Sequence, residues 1–377
     1  MCRTNCFLNL LGLAVGCVLL PLFLPSAFAG EPLKAPVDVA ARRAVISGTE
    51  KVSDRCAQSP QPMRDIVVGG FYTDLASSVI DPNALAWKEQ ALKPLNAFTA
   101  AVTMRSDRLI ASRDGAPDAA RCALDWLTAW ADAGAMLGTV SHQGAYEREW
   151  RLAALALAWL KLRQAPGLDH DKSARVVAWL GALADAVGPP YNAPPKGRIP
   201  SSRNNHAYWA GLAVAAAGIA TDDRARFEWG ISRYHMGIAD IAADGTLPLE
   251  LARKKRALHY HLFALLPLVM LAELGEANGL PLYRANNGAL SRLVDTTITG
   301  LNDPAIFARL TGEAQDVSAA TLGGPAGGRG FDAAWLEPYY ARMRDPSALP
   351  LLKRLRPLNC AWLGGNMTLD FGVPTLP

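Results

Sequence analysis

The sequence predicts an all-α fold built from antiparallel helix pairs. Apolar residues recur at three- and four-residue spacing over most of the chain. Gly/Pro clusters such as Gly188-Pro189-Pro190 and Ala193-Pro194-Pro195 break the pattern. Strand-like runs are few, and no strand–helix alternation suggests a parallel sheet. Residues 119–137 place Cys122, Trp126, Trp130 and Ala133 on one stripe. Residues 146–162 repeat the pattern with Leu152, Leu155, Trp159 and Leu162. Helices over 173–187, 205–220, 224–241 and 256–278 follow, then 286–301 and 332–343. Pro267 lies inside the sixth of these and should kink it. Helices of about 12–20 residues with short loops favour antiparallel neighbours.

The first 29 residues read as targeting rather than fold. Arg3 gives a basic start, residues 7–23 are almost wholly apolar apart from Asn9, and Ser26-Ala27-Phe28-Ala29 offers small residues for cleavage. This pattern is a secretory signal peptide removed after Ala29. It is near the lower limit for spanning a membrane, and the cleavage site behind it favours removal. The expected mature chain is one domain over 30–377, in the periplasm and free of the membrane. Export permits disulfides. Cys2, Cys6 and Cys17 leave with the signal, and Cys56, Cys122 and Cys360 remain. An odd number allows three pairings, or three free thiols. Cys56–Cys122 is the pairing preferred, because both flank one N-terminal region and Cys360 sits in an apolar segment.

Composition narrows the function. The chain carries a formal net charge of +4, with 50% hydrophobic and 19% charged residues. The longest basic cluster is Arg253-Lys254-Lys255-Arg256, too short for a nucleic-acid stripe. A mild positive balance still suits a polyanionic substrate. There is no CxxC pair or HExxH pattern, and His259 and His261 face apart on a helix, so no metal is expected. Exported enzymes acting on long sugar chains often wrap helix pairs into an α/α toroid, an analogy rather than a deduction. Residues 71–87 read as a lid-length loop. Residues 323–330 read as a flexible turn without the P-loop ending.

Two segments carry chemistry. In Ser201-Ser202-Arg203-Asn204-Asn205-His206-Ala207-Tyr208-Trp209 the polar run suits a helix start. His206 and Trp209 then share a face, with an indole suited to stacking on a sugar and an amide and imidazole suited to a carboxylate. Capping asparagines and a structural histidine are the plainer alternative. In the segment 244–261, a helix would align Arg253, Arg256 and Tyr260 on one stripe and turn Lys254 and Lys255 to water. The plainer alternative is a core tyrosine beside a solvated basic face. β-Elimination from a uronate needs such a set. Charge and hydrogen bonds neutralise the carboxylate and stabilise the enolate-like transition state. A Tyr or His moves the C5 proton and protonates O4. Cationic neighbours are expected to lower the Tyr260 pKa.

Arg203-Asn204-Asn205-His206-Ala207-Tyr208-Trp209, Gly245-Thr246-Leu247-Pro248-Leu249-Glu250 and Arg256-Ala257-Leu258-His259-Tyr260-His261 resemble the periplasmic alginate lyases of polysaccharide lyase family 5. Trp335-Leu336-Glu337-Pro338-Tyr339-Tyr340 and Leu363-Gly364-Gly365-Asn366-Met367-Thr368 also look like that family. The resemblance implies an incomplete α/α toroid that cleaves mannuronate-rich alginate, needs no obligatory cofactor and leaves a 4,5-unsaturated uronate. It implies that Asn205 and Arg253 neutralise the carboxylate, that His206 assists, and that Tyr260 is general base and acid. Trp209 would stack on a sugar, Tyr72 would sit on the lid, and Arg256 would bind substrate. It further implies a place in alginate biosynthesis and association with an alginate export machinery. Three alternatives stay open: a lyase for another acidic polysaccharide, a non-catalytic alginate-binding scaffold, and an inverting glycoside hydrolase using two of Glu147, Glu149, Asp244 and Glu250.

Overall fold

The computed structural model describes residues 31–46, 55–197, 200–323 and 330–377. The expected signal peptide and most of the 323–330 turn lie outside the described residues. In chain order the helices are α1 (Val39–Ile46), α2 (Pro82–Ala91), α3 (Lys93–Ala111), α4 (Pro117–Asp132) and α5 (His142–Leu162). Next come α6 (His170–Val187), α7 (Asn205–Thr221), α8 (Arg224–Ala239), α9 (Pro248–Leu251) and α10 (Ala257–Ala277). The chain ends with α11 (Ala285–Asn302), α12 (Ala305–Thr311), α13 (Leu336–Met343), α14 (Leu349–Leu355) and α15 (Met367–Phe371). Two short antiparallel strands, β1 (Asn359–Cys360) and β2 (Gly365–Asn366), form a hairpin near the C-terminus.

Helix contacts define an incomplete α/α toroid. The inner row is α3, α5, α7 and α10, each packed on the next. The outer helices α4, α6, α8 and α11 each back the inner helix that precedes them in sequence. Sequence dictates which helix goes inside. In α7 and α10 nearly every residue is apolar and buried, and a helix apolar all round must be enclosed. The α10 segment is apolar enough to cross a membrane by composition, yet 94% of it is buried in the protein. By contrast α4 buries Cys122, Trp126 and Trp130 and exposes Arg121 and Asp125 on its other side. Helix starts are capped as their sequences suggest. Ser141, Asp169, Asn204 and Asp223 accept backbone N–H groups of α5, α6, α7 and α8.

Boundaries differ from the sequence pattern where backbone chemistry intervenes. The fourth helix stops at Asp132 because Gly134 and Met136 take left-handed φ values of 59° and 61°. The fifth starts at His142, four residues early, because Ser141 is its cap. Asn286, Asn287 and Gly288 are left-handed, so the regular part of α11 begins after them. The 19-residue α3 was hidden because its buried face mixes Thr99, Thr103, Arg105, Ser106 and Asp107 with apolar side chains. Lys161 of α5 ties that face down, 2.6 Å from Asp107 and 2.9 Å from Asp370 of α15.

Cys56 and Cys122 form a disulfide with Cα atoms 5.4 Å apart, and Cys360 is a buried free thiol. The bridge anchors the segment before the lid loop to α4. Trp126 Nε1 reinforces it by donating to the Ala57 carbonyl at 2.9 Å.

Helices α7 and α8 pack closely, and their approach depends on glycine. A Cβ on Gly230 would lie 2.4 Å from the Gly211 carbonyl oxygen and 2.5 Å from Ala215 Cβ. Gly230→Val should therefore force the pair apart and lower stability by about 1–3 kcal/mol, as overpacking typically does. A thermal melt unchanged by that substitution would contradict the packing.

Candidate active site

A cavity of about 700 Å³ opens at one end of the inner helices. Its walls come from the lid loop, the first two turns of α5, the start of α7, the Arg253–Tyr260 segment and Trp362. Backbone groups at helix N-termini are unsatisfied and electropositive, which suits an anionic ligand.

Tyr260 lies at the start of α10 and is buried. Its hydroxyl donates to the Tyr72 hydroxyl at 2.9 Å. The Arg253 guanidinium carbon sits 4.4 Å from the Tyr260 ring centroid, and that of Arg256 at 5.8 Å. Arg253, Arg256 and Tyr260 thus converge, but not along one helix. A 3₁₀ turn over Lys254–Arg256 separates α9 from α10, and Lys254 has a left-handed φ of 55°. That reversal sends Lys254 outward to Glu313, 3.3 Å away, while Arg253 stays buried. The expected lowering of the tyrosine does not hold. Burial pushes the Tyr260 phenol well above its ordinary value, Tyr72 adds to this, and Arg253 and Arg256 only offset part of it. Tyr260 therefore rests protonated.

His206 is the second residue of α7. Its ring stacks on Tyr146 with centroids 3.6 Å apart, and Nδ1 lies 3.2 Å from Glu149 Oε1. Burial, then the charges of Arg253 and His142, hold the imidazole well below its ordinary pKa, so it is neutral. With Nδ1 engaged, Nε2 is the nitrogen left for a ligand.

Two residues expected to contact ligand, Trp209 and Asn205, do not line the cavity. Trp209 is 0% exposed and packs on Phe263 and Trp362 at centroid distances of 5.4 and 5.8 Å. It shares a helix face with His206, but three residues along the axis carry it about 4.5 Å deeper into the core. The indoles on the cavity wall are Trp150 and Trp362, stacked at 4.5 Å. Asn205 is fully buried behind the wall, with its backbone N–H and Nδ2 both donating to Glu250 Oε1, at 2.8 and 2.9 Å. The neighbouring Asn204 is the one that reaches the cavity, where it also caps α7.

The expected loop over 71–87 lines the cavity but ends at Asp81, and residues 82–87 instead open α2. Tyr72 pairs with Ile80 across the loop, and the Asp74 carboxylate accepts backbone N–H groups of Ser78 and Val79 at 2.8 Å each. Sequence reasoning missed Tyr146 and Trp150, although its helix over 146–162 contains both, because it followed only the core face marked by Leu152, Leu155, Trp159 and Leu162. Once Ser141 is recognised as a cap, His142, Tyr146 and Trp150 fall at four-residue spacing on one face. Lys88 was also missed; it is buried, 3.0 Å from Glu147 and 4.6 Å from the Phe71 ring centroid.

The carboxylates considered for hydrolysis are committed elsewhere. Glu147 pairs with Lys88 and Arg151, Glu149 with His206 and Tyr191, and Glu250 with Asn205 and Arg253. Asp244 closes a turn on Thr246. None of the four lines the cavity. Among the described residues no three His, Cys, Asp or Glu side chains gather in a way that could hold a metal ion.

Comparison with known proteins agrees with this architecture. Residues 72–307 match the family described as Alginate lyase. A polysaccharide lyase of Stenotrophomonas maltophilia (strain K279a) is 42% identical over 318 residues, covering 83% of this chain and 90% of the relative. An alginate lyase of Cobetia marina is 36% identical over 262 residues, covering 68% of this chain and 67% of the relative. The crystal structure of alginate lyase A1-III from Sphingomonas species A1 aligns with a TM-score of 0.74 at 26% identity, over 92% of this chain and 98% of that one. Fold, motif positions and relatives converge: this chain is an α/α-toroid member of the alginate lyase family, of the polysaccharide lyase family 5 type.

Proposed function

We propose that the protein cleaves mannuronate-rich alginate by β-elimination, leaving a 4,5-unsaturated uronate at the new non-reducing end. The observation that carries this reading is the meeting of Arg253, a neutral His206 and a protonated Tyr260 at one cavity. The family relation supports alginate as substrate, and alginate lyase A1-III has been solved with a tetrasaccharide bound, as histidine-to-alanine and tyrosine-to-phenylalanine variants.

In this reading a uronate carboxylate takes Arg253 and the His206 Nε2 side of the cavity. Neutralising it delocalises the charge that develops as the C5 proton leaves. The C5–H electron pair becomes the C4=C5 double bond, the C4–O4 bond breaks, and O4 receives a proton. In mannuronate the C5 hydrogen and O4 lie on the same ring face, so one group can serve both steps. Tyr260 is that group: it first releases its resting proton to solvent, a step Arg253 and Arg256 favour, the phenolate then takes the C5 proton, and the phenol so formed gives a proton to O4. Asn205, behind the wall, contributes by fixing the start of α7 through Glu250. Trp150 and Trp362 supply the stacking surface for a sugar ring. Removal of residues 1–29 would release the enzyme to the periplasm, where the Cys56–Cys122 bridge is at home. A role in alginate biosynthesis beside an export machinery rests on the resemblance alone.

Ultraviolet absorbance of the new double bond should rise on polymannuronate and much less on polyguluronate. A faster rise on polyguluronate would overturn the block preference, and cleavage without absorbance would overturn elimination. Tyr260→Phe keeps the ring and should lower turnover by about 10²–10⁴-fold with little change in thermal melt. Near-normal turnover would remove Tyr260 from the mechanism. Arg253→Ala should lose binding and turnover, whereas Lys254→Ala, at an exposed surface pair, should be nearly silent. Equal losses in the two variants would mean that bulk charge rather than position matters. Mass spectrometry of the exported protein should find an N-terminus at Gly30, and an intact leader on a membrane-bound protein would contradict the assigned location.

A further inference from the structure

Glu149 lies about two turns into α5, in the wall behind His206, and the reaction described above assigns it no task. Its surroundings are unusual for a carboxyl group. It is 1% exposed, and its hydrogen-bond partners are the Tyr191 hydroxyl on Oε2 and His206 Nδ1 on Oε1. Among the described residues no lysine or arginine forms an ion pair with it, although the charge of the adjacent Arg148 is felt. The adjacent Arg148 donates to the Ala186 carbonyl at 2.9 Å instead. Glu147, two residues earlier and facing the other way, takes both nearby cations, Lys88 at 3.0 Å and Arg151 at 3.1 Å.

A buried carboxylate without a cation is costly, and such a group takes up a proton instead. Tyr191 donates to Oε2, which leaves Oε1 to carry that proton toward the imidazole. Nδ1 must then be the unprotonated nitrogen and Nε2 the N–H. Stacking of the ring on Tyr146 at 3.6 Å, with Trp150 at 5.9 Å, holds the imidazole plane and opposes a flip that would exchange its edges. We propose that Glu149 is a protonated positioning residue, which donates to His206 Nδ1 and fixes the tautomer that presents Nε2–H to the cavity. Burial also raises the Glu149 carboxyl well above its ordinary value; the Tyr191 hydrogen bond and the Arg148 charge offset part of this, and Glu147 adds to it.

The consequence for function rests on the reading that His206 meets the substrate carboxylate. A neutral imidazole with Nε2–H is a hydrogen-bond donor at every pH where the enzyme would work. It supplies with Arg253 the carboxylate contact that Asn205, behind the wall, does not. Glu149 thus sets what His206 can do without touching substrate. The motif that surrounds His206 in sequence contains no hint of this, because the partner comes from another helix.

The test combines a spectroscopic and a kinetic readout. Nitrogen-15 NMR of the His206 ring, assigned by difference against His206→Gln, should show Nε2 protonated and Nδ1 bare. Glu149→Leu removes the donor, and the ring signals should move toward a tautomer mixture. Its kcat should fall by about 10- to 100-fold, the usual scale for losing a partner that orients a histidine. Glu149→Gln restores a donor of the same shape, so it should recover the Nε2–H tautomer and at least a tenfold part of the lost kcat. Should Glu149→Leu fail to fold, the wild-type and Glu149→Gln spectra decide alone. Finding the hydrogen on Nδ1 in the wild-type protein, or the same ring spectrum in Glu149→Leu, would overturn the proposal. A lost tautomer with unchanged kcat would support the positioning contact and overturn the placement of His206 at the chemistry, so the two failures are distinguishable.

Discussion

A carboxyl group that cannot reach water must be paired or protonated. Three glutamates buried behind the cavity wall impose that constraint on most of the side chains that do chemistry. Glu147 gathers Lys88 and Arg151 at 3.0 and 3.1 Å. Glu149 meets Tyr191 and His206. Glu250 accepts from Asn205 through two hydrogen bonds and lies 3.6 Å from Arg253. Each glutamate therefore fixes one sector of the site: the lid side, the imidazole, and the arginine beside Tyr260. A site assembled this way tolerates little local change, since removing one member leaves another buried and uncompensated.

The toroid makes the arrangement possible by bringing three helix ends to one place. The start of α5 supplies Glu147, Glu149 and Trp150, the start of α7 supplies Asn205 and His206, and the start of α10 supplies Tyr260. The same helices are held beneath the cavity by a dry aromatic layer in which Trp209, Phe263, Trp150 and Trp362 touch one another. Trp209 thus serves as the floor on which the reacting residues stand, and the rings that face the cavity are the outer members of that layer. The lid closes the opposite side through the hydroxyl pair of Tyr72 and Tyr260.

The helical class and most inner and outer helices were legible from apolar spacing, and the Asn-His and Arg-Tyr segments stood out as motifs. What remained hidden was long-range pairing. The spacing of Arg253, Arg256 and Tyr260 suggested one stripe, but the residues meet through a broken turn at Lys254, whose left-handed backbone no apolar pattern encodes. Trp209 and Asn205 looked like ligand contacts because helix periodicity reports which face a side chain occupies, not how deep along the axis it sits. Tyr146 and Trp150 were overlooked because attention went to the core face of their helix, and α3 was lost to the polar residues it buries. Glu149 carries no local signature, since its partners lie 42 and 57 residues away in sequence.

In the proposed mechanism the bond is broken by elimination, with Tyr260 moving the protons and no water consumed. Cleavage of a mannuronate oligomer in water enriched in heavy oxygen tests this most directly. Elimination should give two fragments whose masses sum to that of the substrate, with no heavy oxygen in either. A fragment pair heavier by one water, with the label at the new reducing end, would mean hydrolysis and would contradict the account.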